Sequence, residues 1–135
     1  MINESKYWKD DLLKLASKIE LKTIQKRWGE RNFYILEKDI FIGFYCIRKL
    51  IESSKISDSL RSKCYEVLEF PYKGKPDSMI NYFNENEYDM SKGDASQITI
   101  AQICNQFIHS HHFLPFLPNG KNLAGLFFCS DYKRK

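Results

Sequence analysis

Residues 33–53, FYILEKDIFIGFYCIRKLIES, decide the fold. Leu36, Ile40, Gly43, Phe44, Ile47, Leu50 and Ile51 recur at three- and four-residue spacings, the apolar stripe of an amphipathic helix. Phe41 and Tyr45 widen that stripe toward a second side, so this helix is expected at the centre of the core. Working outward, Trp8, Leu12, Leu15 and Ile19 stand at spacings of four, three and four across residues 7–19, which predicts a second amphipathic helix before it. Residues 22–31 are strongly basic, and Gly29 is expected to break the path between the two.

After the central helix, Ser57 and Asp58 can cap a short helix running into Leu60 and Cys64. Tyr65, Val67 and Phe70 then alternate with charged residues before Pro71, the pattern of a strand or extended segment. Residues 71–97 hold two prolines, two glycines and many turn formers and are expected to be mostly loop, with a helical turn over 79–83. Thr99 is a candidate N-cap for a further helix carrying Ile100, Ile103, Cys104, Phe107 and Ile108, which Pro115 and Pro118 would stop. Beyond it, residues 113–117 and 123–129 flank Pro118-Asn119-Gly120-Lys121, and Asn-Gly between apolar runs signals a hairpin. The prolines would hold its first strand to an edge. The expected fold is therefore mainly α (α+β), a small bundle of three to four helices with a C-terminal β-hairpin, as one domain over residues 1–135. Leu36, Ile40, Phe44, Ile47, Ile103 and Phe107 are its expected core.

Composition narrows the class. With 43% hydrophobic and 15% aromatic residues the chain has material for a packed core and lacks the signature of disorder. The N-terminal stretch mixes charge with apolar residues, unlike a secretory leader, and no run is long enough for a membrane span; a cytoplasmic location without membrane contact is expected. Cys46, Cys64, Cys104 and Cys129 form no CxxC pair and are expected to be reduced, buried small hydrophobes. The net charge of +4 is unevenly spread: residues 1–63 carry 14 basic against 9 acidic side chains, residues 64–100 carry 3 against 7, and residues 101–135 carry 4 against 1. Basic ends around an acidic middle are compatible with nucleic acid without requiring it.

The candidate chemistry lies in residues 99–113, TIAQICNQFIHSHHF, which contain every histidine of the chain. On a continuous helix Asn105, His109 and His112, at i, i+4 and i+7, would line one face. Cys104-Asn105-Gln106-Phe107-Ile108-His109 resembles the RNxxxH signature of the HEPN superfamily, small helical-bundle proteins that include ribonucleases of toxin and phage-defence systems. Asn105 and His109 match the motif, whereas Cys104 stands at its arginine. The resemblance implies RNA as ligand, metal-independent cleavage with no cofactor, and a homodimer in which the two histidine helices face across a two-fold axis. In such chemistry a histidine moves the proton of the 2′-hydroxyl or the leaving oxygen, and a cation stabilises charge building on the phosphate. Cys104 cannot be that cation, which leaves Arg31, Arg48 or Lys49 as binding candidates with His112, and leaves room for a catalytically inactive relative.

Other readings compete for these residues. Asn105 and His109 could serve only to satisfy buried polar groups within the fold, in a non-catalytic module that meets a protein partner. His109, His111 and His112, with Cys129 or Asp131, invite a zinc reading, but HxHH is not a standard ligand spacing and a helix turns His111 about 100° from His112. Cys104 and His109 as a nucleophile pair are disfavoured, because five helical residues rotate them apart by about 140° and an apolar setting raises the thiol pKa. The scattered glycines form no phosphate-binding loop. Residues 22–34, KTIQKRWGERNFY, interleave cations and rings that could stack on bases, although a solvated face anchored by Trp28 is the simpler reading. The acidic cluster at 84–89 lacks the ordered spacing of a calcium loop.

Overall fold

The central helix forms as expected. In the computed structural model, which describes residues 2–71, 88, 89 and 91–130, and of residues 111, 112, 129 and 130 the backbone only, it is α2, Glu30–Glu52. Its first turn is closed by Asn32, whose Oδ1 accepts from Gly29 N at 2.8 Å while Asn32 N donates to Gly29 O at 3.0 Å. Its last turn ends in paired reverse bonds, Ser54 N to Ile51 O and Lys55 N to Leu50 O, which satisfy carbonyls the helix itself leaves open. Ser54 takes the left-handed conformation this closure needs, at φ 54°.

Three further helices surround α2. The first, α1, is Ser5–Glu20, with the Glu4 carboxylate capping Lys6 N. It runs antiparallel to α2: Ile2 N donates to Ser53 Oγ, Leu15 lies against Gly43, and Lys18 Nζ stands 3.0 Å from Asp39 Oδ2, off the line of a hydrogen bond. A Cβ at Gly43 would approach Leu15 Cδ2 to 3.2 Å, so the missing side chain lets the two helices close. The short α3, Asp58–Ser62, is capped by Ser57 Oγ. The fourth, α4, is Ile100–Ile108, and its start is a reciprocal cap in which Thr99 Oγ1 accepts from Gln102 N and Gln102 Oε1 accepts from Thr99 N.

Two antiparallel ribbons hold α4 at both ends. β1, Cys64–Glu69, pairs with β2, Asp94–Thr99, from Cys64↔Thr99 to Glu69↔Asp94, and β2 passes directly into α4. β3, Ser110–Phe116, pairs with β4, Gly125–Ser130, with a register shift between Ser110 and His112. The turn of this hairpin docks on the α1–α2 connection. Leu123 N donates to Lys22 O, Trp28 Nε1 donates to Lys121 O, and Trp28 stacks on Phe33 at 5.1 Å between ring centroids.

Phe107 sits where these pieces meet. It is 2% exposed, lies parallel to Phe44 of α2 at 4.3 Å, packs on Phe128 of β4 at 4.3 Å and meets Phe113 of β3 edge-on at 6.0 Å. Leu36, Ile40 and Leu123 complete the buried cluster. Phe44 and Ile103 pack against it as expected, while Ile47 is half-buried on the side of α2 that faces α1.

The fold is thus mainly α within α+β, with four α-helices and a C-terminal hairpin among the described residues. Three expectations are corrected. The histidine helix ends at Ile108, well before Pro115, because pairing with β4 captures the chain from Ser110 onward. His112 therefore belongs to β3, and a helical face shared with Asn105 and His109 does not form. Of residues 71–97, where mostly loop was expected, residues 94–97 belong to β2, which runs on to Thr99; the helical turn at 79–83 and most of the acidic cluster lie outside the described residues. Of the cysteines expected to be buried, Cys104 is, Cys46 is half-buried and Cys64 is exposed.

Replacing Phe107 with alanine is expected to cost about 3–5 kcal/mol of unfolding free energy in urea titrations, because it opens a cavity between α2, α4 and the hairpin. A loss below about 1 kcal/mol would show that this ring is not the junction of the core.

Candidate functional site

The histidine helix presents two faces. Cys104 and Phe107 are buried against α2 and the hairpin, whereas Asn105 and His109, one turn apart, are exposed on the opposite side. His109 is the C-cap residue, its N–H bonded to Asn105 O at 3.1 Å, so its ring stands at the end of the helix. The two side chains do not fasten to each other. Asn105 Oδ1 instead accepts from Arg48 Nη1 at 2.9 Å, and the His109 ring has no partner among the described residues.

Arg48 reaches this position because α2 and α4 pack through Phe44 and Phe107, four residues before Arg48 and two after Asn105. Its Nε donates to Glu52 Oε1 at 3.0 Å, one turn along α2. Hydrogen bonds from Arg48 and then Lys49 hold the Glu52 carboxyl below the usual carboxylate range. Two of the five guanidinium N–H groups are occupied in this way, and the rest find no acceptor among the described residues. The arrangement presents a planar cation, an amide and an imidazole along one exposed edge.

The other candidates lie elsewhere. Lys49 pairs with Glu52 at 3.3 Å and its Nζ lies 5.5 Å over the Tyr45 ring, next to Arg48 but without a bond to Asn105. Arg31 is in the first turn of α2, 17 residues or about 26 Å of helix from Arg48. His112 shares β3 with His111, and the side chains of both lie outside the described residues, as do those of Cys129 and Asp131. Among the described residues no three His, Cys, Asp or Glu side chains converge on a point that could hold a metal ion. Within the basic-aromatic run at 22–34, Trp28 anchors the hairpin turn and Lys22 bonds Gln25 Oε1 while lying over the Trp28 ring, whereas Lys26, Arg27, Arg31 and Tyr34 are exposed. Glu52 escaped the sequence reading, although its spacings of four from Arg48 and three from Lys49 are those of helical ion pairs.

Cys104, at the position where the HEPN motif carries arginine, is sealed in the core. Burial pushes its thiol up to about 11, against a smaller opposing pull from the Arg48 charge. A nucleophilic role is incompatible with that setting.

No family model matches the chain, and no curated protein or solved structure shows significant similarity to it. The HEPN resemblance therefore rests on Asn105 and His109 alone. No described helix is long and apolar enough to cross a membrane.

The buried thiol gives a pH test. An unfolded cysteine loses its proton near pH 8.5, whereas folded Cys104 holds it to about 11, so its stabilising share is complete below the first value and is lost as pH rises toward the second. Urea midpoints are expected to fall more steeply between about pH 8 and about pH 10 for the native chain than for Cys104→Ala. Parallel slopes would contradict the burial of a protonated thiol.

Proposed function

We propose that the chain is a HEPN-like RNA-binding protein whose ligand-facing edge is formed by Arg48, Asn105 and His109. The observation that carries this reading is the 2.9 Å bond from Arg48 Nη1 to Asn105 Oδ1, between side chains 57 residues apart in sequence and at the surface. A cation from α2 thereby stands beside the amide of an Asn-x-x-x-His pair whose own preceding residue, Cys104, cannot supply charge. Guanidinium N–H groups left without an acceptor among the described residues suit a phosphate, which they can grip in a fork. The Asn105 amide offers donors to a phosphate or sugar oxygen, and the exposed His109 ring is the group able to take or give a proton at the 2′-hydroxyl.

Any cleavage by this edge would be metal-independent, with Arg48 stabilising charge on the phosphate and His109 handling the proton. The set lies within one chain, so it does not require a second copy to bring its cation. A cytoplasmic setting in toxin or phage-defence systems is the context the resemblance suggests.

Anisotropy titrations with labelled single-stranded RNA test the proposal. Binding is expected at low salt, weakening as salt rises, and Arg48→Gln is expected to lower affinity about tenfold or more through loss of a charge-assisted contact. His109→Ala should retain most of the binding and abolish whatever cleavage the native chain shows on a gel. Equal affinity of the native chain and Arg48→Gln, or cleavage unchanged by His109→Ala, would overturn the assignment.

A further inference from the structure

Among the described residues, the side of α2 turned away from α4 is incompletely covered. Between α1 and α2 lies a groove of about 820 Å³, closed at one end by residues 55–60 and floored by Leu12, Leu15, Gly43, Phe44 and Ile47. No residue of α1 is fully buried, although Leu12, Leu15 and Ile19 all turn toward α2. Leu13, 68% exposed, and Leu60, 51% exposed, stand on the rims of the groove. A helix with this pattern has its apolar face only half used.

The charges along the groove are polarised. Because α1 and α2 are antiparallel, Lys9 of α1 and Lys55 beyond the end of α2 lie at one end, and Glu20 of α1 lies at the other beside Asp39 of α2. Lys18 pairs with Asp39, so among the described residues the acidic end owes its unpaired charge to Glu20. A two-fold axis through the middle of such a groove and perpendicular to its length sets the basic end of one copy on the acidic end of the other. It also lays the apolar centre of each copy on that of its mate. Self-complementarity of this kind is what an isologous interface demands.

We propose that this groove is the dimer interface of the protein, occupied by the same groove of a second copy. Leu13 of each protomer packs against Ala16 of the other, and Lys9 opposes Glu20 at both rims. The inference is independent of the RNA reading. Phe44 touches the groove on one side and Phe107 of α4 on the other, so this axis leaves both Arg48–Asn105 edges facing outward rather than toward each other.

Sedimentation velocity on the full chain at micromolar concentration tests the proposal, with circular dichroism to confirm folding of each variant. The native chain is expected at twice its 16.0 kDa mass, and Leu13→Glu, a change at an exposed position, is expected to give folded monomer. Lys9→Glu and Glu20→Lys alone should each weaken association about tenfold or more by opposing like charges, and the two together should restore it. A native monomer would overturn the proposal, and so would a dimer indifferent to all three changes. A monomer that carries a copurified amphiphile in native mass spectrometry would assign the groove to a small ligand instead, which also overturns it.

Discussion

The stacking of Phe107 between Phe44 and Phe128 joins the three parts of this molecule that could otherwise move apart: the long helix, the histidine helix and the hairpin. Large rings bring much apolar area and a defined mutual orientation, so a single buried Phe can set both distance and angle between its neighbours. Here the parallel contact at 4.3 Å fixes α4 against the last turns of α2. The exposed edge of both helices is set by that contact, and with it the meeting of Arg48 and Asn105. The β1–β2 ribbon holds the start of α4 through Thr99 and the hairpin holds its end through Ser110. The Asn-x-x-x-His pair is consequently presented by a helix clamped at three places.

Electrostatics at this edge follow from exposure. Arg48 is shared between Glu52 on its own helix and Asn105 on the next, and both partners lie at the surface where water screens the pairing. Such contacts orient the guanidinium more than they stabilise the fold. An incoming phosphate can exchange with Asn105 or add to it without uncovering a buried charge. Cys104, one residue earlier in α4, faces the core and shows how sharply the helix divides polar from apolar.

Much of the fold was legible in the sequence because its signals are local. The stripe through Leu36, Ile40 and Phe44, the caps at Ser57 and Thr99, and Asn119-Gly120 each act over a few residues, and the structure contains the elements they mark. What the sequence hid depends on distant partners. In β2, Asp94–Thr99, Ile98 is the only large apolar residue, so its alternation was invisible until β1 supplied a ladder. The histidine helix looked longer than it is because nothing local announces that β4 claims the chain from Ser110. Within the candidate site, Asn105 and His109 were readable from their spacing, while the choice of Arg48 over Arg31 and Lys49 required the packing of α4 on α2.

The central claim, that this edge is built for an RNA ligand rather than for internal fastening, is tested most directly by nuclear magnetic resonance. Titrating the protein with a short single-stranded oligoribonucleotide while following the Asn105 side-chain amide, the Arg48 Nε–H and the His109 ring would report on all three groups at once. The expected result is that their signals move together and saturate at one RNA concentration. Signals from these three that stay fixed while others shift, or that ignore RNA altogether, would contradict it.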